Sequence, residues 1–140
     1  MIYLLDTNVL SELRKRPGVV NEQVLTWSQR HSVSDFAVSV VSVWEIDLGI
    51  VRIERRDVRQ GAVLRSWFSR AILGDLGPQI LPIDRMTAVE VAALHVPDPR
   101  PERDALIAAT AIVHGLTVVT RNVGDFVPMG VRVLNPWQQR

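Results

Sequence analysis

Apolar residues along this chain fall into two rhythms that alternate from one end to the other. Short, mainly apolar runs at residues 2–5, 36–40, 80–83, 117–120 and 131–134 have the length and β-branched content of strands. Between them, apolar positions recur at helical spacing over residues 8–15, 20–30, from Ser42 onward, 57–73, 84–95 and 104–114. The longest of these carries Val58, Ala62, Leu64, Trp67, Phe68 and Ile72 along one face, and the last carries Ala105, Ala108, Ala109, Ala111 and Ile112. Punctuation agrees with the rhythm. Pro17-Gly18 closes the first helix, Gly74 and Gly77-Pro78 end the long one, Asp84 caps the next, and Gly115 stands at the C-terminal cap of the last. Ser42-Val43-Trp44-Glu45 has the form of a capping box. Pro97, Pro99 and Pro101 exclude regular structure from the segment they share and make it a loop. Strands alternating with helices predict an α/β fold, a mostly parallel central sheet with helices on both faces.

That topology gives three acids a common address. A helix joining parallel strands runs back against them, so its N-terminus lies at the edge where strand C-termini emerge. Asp6 ends the first strand, Glu45 lies at the start of the helix after the second, Asp104 starts the helix that feeds the fourth, and Asn122 follows that strand. Singly, each acid has an ordinary reading: Glu45 completing a capping box with Ser42, Asp104 complementing a helix dipole, Asp6 capping the first helix. Together they converge. Two carboxylates about 4 Å apart repel by roughly 4 kcal/mol at an effective dielectric near 20, so such a cluster calls for a counter-charge. No Lys or Arg adjoins Asp6 in sequence, and oxygen ligands without cysteine suit Mg²⁺ or Mn²⁺ rather than zinc.

Composition narrows the classes further. Hydrophobic residues make up 47% and charged residues 22% of 140, the balance of a single globular domain spanning 1–140. No apolar run is long enough for a membrane span and no leader pattern opens the chain, so no membrane association is expected and the expected location is the cytoplasm. The absence of cysteine excludes disulfides and a thiolate nucleophile. Lys15 is the sole lysine among 16 basic residues, and a net charge of +1 means that any nucleic acid must be held by a local patch. His31, His95 and His114 stand isolated at loop edges or helix ends and receive no catalytic role.

Five segments, in order, resemble the PIN-domain ribonucleases, and among them the VapC-type toxins of toxin–antitoxin pairs, in particular the FitB-like branch. They are Leu5-Asp6-Thr7-Asn8-Val9-Leu10-Ser11-Glu12, Trp44-Glu45-Ile46-Asp47-Leu48-Gly49-Ile50, Asp104-Ala105-Leu106-Ile107-Ala108-Ala109-Thr110-Ala111, Val119-Thr120-Arg121-Asn122 and Asn135-Pro136-Trp137. The resemblance implies a PIN-like three-layer sandwich and metal-dependent hydrolysis of RNA phosphodiester bonds. It implies Asp6, Glu45 and Asp104 as the catalytic, metal-holding acids, Glu45 by way of a water if not directly, with Mg²⁺ or Mn²⁺ as cofactor. It also implies an RNA substrate, a cognate antitoxin as inhibitor, and a homodimer that assembles into a larger complex with that antitoxin. The family's fourth position, often Asp, falls on Asn122, which accepts from a metal-bound water but adds no charge. Asp125 is either its substitute or a structural turn residue beside Phe126.

Around the acids, Thr7, Asn8 and Thr120 are small and polar enough to orient ligand waters, or to serve as ordinary helix and turn caps. Arg52, Arg55, Arg56 and Arg59 recur at helical spacing. They face phosphates, clamp the antitoxin, or form a solvated face paired with Glu54 and Asp57. Two other functional classes fit the same fold. A haloacid-dehalogenase-type phosphatase also places a nucleophilic Asp at the end of its first strand, but needs an acid where this chain has Asn8. A non-catalytic PIN-like binding module is compatible with the neutral Asn122, and measured metal binding separates it from a nuclease.

Overall fold

Five parallel strands in the order β3-β2-β1-β4-β5 form the centre of the computed structural model, which describes residues 1–138. They are β1 (Tyr3–Leu5), β2 (Phe36–Ser39), β3 (Ile80–Leu81), β4 (Thr117–Val119) and β5 (Val133–Leu134). The expected sheet is therefore parallel throughout, with β1 central and β5 at an edge. Among the described residues seven α-helices connect the strands: α1 (Thr7–Leu13), α2 (Glu22–Gln29), α3 (Val40–Arg56), α4 (Val58–Trp67), α5 (Arg85–Leu94), α6 (Glu102–His114) and α7 (Val123–Phe126). Gln139 and Arg140, the end of the expected 1–140 domain, lie outside the described residues. Among the described residues no helix is long and apolar enough to cross a membrane.

Alternation along each strand divides the interior into two cores, which makes the molecule three-layered. Leu4, Ala37 and Val118 point to one face, where they meet Ala105, Ala108 and Ala111 of α6 and Phe126 of α7. Leu5, Val38 and Val119 point to the other, against Val9 and Leu10 of α1, Trp27 of α2, Ile46 and Ile50 of α3 and Leu64 of α4. The alanine face of α6 lets that helix lie close to the sheet. Its far end stops where Gly115 adopts φ 66°, the left-handed cap expected there.

Two helices differ from expectation, one of them the helix that carries Glu45. α3 begins at Val40, because Ser39 at the end of β2 caps it by accepting the Val41 N–H. Ser42 is thus buried inside the helix, and the capping-box reading of Ser42 and Glu45 gives way: Glu45 lies in the second turn. The long helix expected over 57–73 changes pitch at Phe68 and continues as a π-helix from Phe68 to Asp75.

Strand order explains where a site should form. From β1 the chain passes to β2 on one side and later to β4 on the other. The crevice beyond the C-terminal ends of β1 and β4 is therefore the topological switch point at which open parallel sheets bind ligands.

Candidate active site

Asp6 occupies that crevice. Its backbone N–H continues the ladder by donating to the Val119 carbonyl at 2.9 Å, and the residue is 6% exposed. Both carboxylate oxygens are engaged: Oδ1 accepts the Thr7 N–H at 2.8 Å, and Oδ2 accepts the Thr120 hydroxyl at 2.7 Å. Burial pushes the Asp6 carboxyl up. The two hydrogen bonds oppose that push and the charges of Glu45 and Asp125 reinforce it, with a net rise.

Thr120 is the hub behind this arrangement. Fully buried, its Oγ1 donates to Asp6 and accepts from Asn8 Nδ2 at 3.3 Å and from the Asn122 N–H at 3.0 Å. Asn8 Oδ1 accepts the Arg121 N–H at 3.4 Å, so the loop after β4 is tied to the first turn of α1. Thr7 performs the equivalent task for α3. Its hydroxyl donates to Glu45 Oε1 at 2.8 Å and lies 3.0 Å from Ser42 Oγ.

Asp104, the third residue of α6, is half-buried and accepts no hydrogen bond among the described residues. Burial, followed by the negative charges of Asp6, Asp125 and Glu45, pushes its carboxyl up to about 6. These influences place four acids in one electrostatic neighbourhood. Asp125 belongs to it although it sits in a short helix, α7, so its position is not that of a turn residue alone.

Asp6, Thr7, Asn8, Glu45, Asp104 and Asn122 all line one cavity of about 440 Å³, together with Ser11, Glu12, Arg14, Lys15, Arg121 and Trp137. Among the described residues, however, no three His, Cys, Asp or Glu side chains are grouped closely enough to hold one ion directly. Glu45 is drawn aside by Thr7 on one oxygen and by Arg103 Nη1, 3.5 Å from Oε2, on the other. The donor chemistry fits a hard divalent cation nonetheless: all candidate ligands are oxygens, and among the described residues none donates a hydrogen bond to the Asp104 carboxylate.

The basic residues of the site are those that sequence reading missed. Lys15, Arg14 and Arg121 line the cavity, and Arg103 bridges to Glu45. Burial raises the Glu12 carboxyl, but the Asn21 N–H at 2.9 Å and Lys15 Nζ at 3.0 Å outweigh it and hold Glu12 below its ordinary range. Arg121 stands inside one of the five motif segments and Arg103 adjoins another, so both were detectable, whereas nothing local marked Arg14. Arg52, Arg55, Arg56 and Arg59 are exposed on the second half of α3 and the start of α4 and do not line this cavity. Glu54, their expected partner, is instead gripped by Arg65 of α4, and Asp57 caps α4 by accepting the Gln60 N–H.

Comparison with known proteins agrees with this architecture. The PIN domain family model matches residues 3–126. The FitB toxin of Neisseria gonorrhoeae is 36% identical over 140 residues, covering 96% of this chain and 97% of its own. The FitAcB crystal structure from the same organism superimposes with a TM-score of 0.88 at 35% identity over 99% of this chain and 100% of that one. A VapC ribonuclease, Y4jK of Sinorhizobium fredii, is 30% identical over 96% of this chain and 97% of its own. A toxin–antitoxin complex from Klebsiella pneumoniae matches at 25% identity with a TM-score of 0.65, covering 96% of this chain and 97% of that one. The chain belongs to the PIN-domain family.

Proposed function

We propose that this protein is an endoribonuclease dependent on Mg²⁺ or Mn²⁺, acting as the toxin of a type II toxin–antitoxin pair and restrained by a cognate antitoxin. The observation that carries the reading is the meeting of Asp6, Glu45, Asp104 and Asn122 in one cavity at the sheet's switch point. Relatives named as a toxin and as a VapC ribonuclease support RNA as the substrate class, and the toxin–antitoxin neighbour supports an antitoxin as the partner. A single PIN domain over 1–140, a cytoplasmic location, and a homodimer that enlarges on binding antitoxin belong to the same proposal.

Asp6 and Asp104 would hold the ion directly and Glu45 through a water, because Glu45 is already engaged by Thr7 and Arg103. When bound, the ion acidifies water for attack on phosphorus and offsets charge on the phosphoryl oxygens. The chain does the positioning. Thr120 and the Thr7 N–H fix both Asp6 oxygens, which sets the direction from which Asp6 presents its remaining lone pairs. Thr7 Oγ1 fixes Glu45, and Asn8 holds the loop that bears Arg121 and Asn122 against the same wall. At neutral pH, Asp104 is largely ionised and able to bind, or to accept a proton at its free oxygens.

Purified protein should cut single-stranded RNA with Mg²⁺ or Mn²⁺, stop in a chelator, and lose roughly a hundred-fold or more in Asp6→Asn or Asp104→Asn. Expression of the wild-type chain should arrest growth, and co-expression of the antitoxin should relieve it. Full cleavage in a chelator eliminates the metal mechanism, and a chain that neither binds the ion nor cleaves RNA leaves the binding-module reading in its place.

A further inference from the structure

The carboxylates Glu45 and Asp104 are shared by two openings. One is the cavity already described, where Arg121 lies 5.4 Å from the centroid of the Trp137 ring. The other is a neighbouring cleft of about 550 Å³, lined by Trp44, Glu45, Pro101, Glu102, Arg103, Asp104 and Leu106. Within it an arginine again covers a tryptophan: the Arg103 guanidinium sits 4.2 Å from the centroid of Trp44. Trp44 is 51% exposed although it stands next to a residue of the acidic site and one turn into a well-packed helix.

We propose that Trp44 and Arg103 form a nucleotide subsite of the RNA-binding surface, in which the Trp44 indole stacks an unpaired base and the Arg103 guanidinium takes the adjoining phosphate. This deepens the ribonuclease reading and rests on it. A half-exposed indole beside reactive carboxylates is poorly explained by packing, since Trp44 belongs to neither core. Base stacking uses such a surface, and it is tolerant of sequence because every base has a π-face. Arg103 suits the second task because its present hold on Glu45 is weak. The contact is 3.5 Å long, made through one nitrogen of a guanidinium side chain that is 45% exposed, and the planar fork is free to exchange that carboxylate for a phosphate oxygen. In the absence of RNA the same arginine screens Glu45 and covers Trp44. When RNA binds, both faces are released at once, at the edge where the scissile phosphate must lie.

The experiment uses the full chain and a fluorescein-labelled, mixed-sequence single-stranded RNA that the wild type cleaves, with Trp44→Ala, Trp44→Phe, Arg103→Ala and Arg103→Lys. Binding is read by anisotropy in a chelator, where nothing is cut, and KM is read with Mn²⁺. Thermal melting confirms that each variant is folded. A set of oligonucleotides, each abasic at one position near the cleaved bond, is the decisive probe. Wild type should lose affinity or raise KM at one of these positions by roughly five- to a hundred-fold, Trp44→Ala should be insensitive to the abasic site, and Trp44→Phe should recover the sensitivity. Arg103→Ala should flatten the dependence of log K on log salt by about 0.7, the equivalent of one phosphate on a single strand, while Arg103→Lys should retain it. If Trp44→Ala keeps the wild-type abasic profile, or Arg103→Ala keeps the wild-type salt slope and merely alters the rate, the subsite is disproved and Arg103 is a screen for Glu45 alone. A wild type that cleaves no RNA removes the underlying reading instead, a result distinguishable from either.

Discussion

At the scale of single residues, the site contrasts two aspartates. Asp6 is buried and doubly hydrogen-bonded, while Asp104 is half-buried with open oxygens. The first is a fixed reference point and the second a variable one. Because the Thr120 hydroxyl both donates to Asp6 and accepts from Asn8 and Asn122, Thr120→Val strands three polar groups at once. Loss of stability should be about 1–3 kcal/mol, the cost of leaving a buried acceptor unsatisfied. It should also raise the Asp6 carboxyl further, since a bond that favours the ionised form is gone. The acid limb of the kcat/KM profile should therefore move to higher pH, and Thr120→Ser should restore it. A profile unchanged in Thr120→Val would show that Asp6 ionisation does not limit the reaction. Asp6, Glu45 and Asp104 were legible as a set because strand polarity alone assigns them to one edge. Their exact spacing was not legible, because the side-chain engagements that draw Glu45 toward Thr7 and Arg103 join residues far apart in sequence.

At the scale of elements, the site depends on how α3 is held, since α3 carries Trp44 and Glu45. Its outer surface is clasped to α4 by Arg65, whose guanidinium donates to Glu54 at 2.9 and 3.2 Å and to Asp47 at 2.7 Å. Arg65 holds the Glu54 carboxyl below its ordinary range. These groups are a third or more exposed, so the clasp contributes orientation more than stability. Close approach is made possible by Gly61 of α4, where a Cβ would lie 2.7 Å from the Glu54 Cα. That contact is backbone and cannot swing away. Gly61→Ala should push α4 off α3 and lower stability by about 1–3 kcal/mol in urea unfolding, despite the better helix propensity of alanine. An alanine variant as stable as wild type would mean that the two helices slide freely. Nothing in the sequence marked this glycine, because the helical rhythm runs through it without interruption. The same is true of the π-helix at Phe68–Asp75, whose apolar spacing resembles that of an α-helix. Boundaries fixed by a single cap were better read: Asp84 accepts the Thr87 N–H at 3.0 Å, and Gly115 ends α6. The exception was the start of α3, where Ser39 and Ser42 both had the right chemistry and the strand end decided for Ser39.

At the scale of the whole molecule, the acidic neighbourhood opposes folding and an ion would relieve it, which makes pH and metal linked variables. An unfolded aspartate titrates near 3.9, whereas folded Asp104 titrates at about 6. The folded state therefore binds the extra proton between about pH 4 and 6, so the Asp104 contribution to stability declines as pH rises through that window and stays low above it. Asp6, raised in the same direction, adds to the decline. A divalent cation binds the ionised carboxylates, so its stabilisation has the opposite slope. Melting temperature measured with and without Mn²⁺ should differ little near pH 5 and diverge by pH 7.5, by roughly 8 °C when the ion is present at about a hundred times its dissociation constant. Asp104→Asn should melt at or above wild type in a chelator at pH 7.5, because one repelling charge is gone, and should gain little from Mn²⁺. This pairing separates a site from a structural cluster: a purely structural set of acids would lose stability on Asp104→Asn and give a metal response independent of pH. Either outcome would reject the assignment of Asp104 as a ligand while leaving the PIN-domain fold intact.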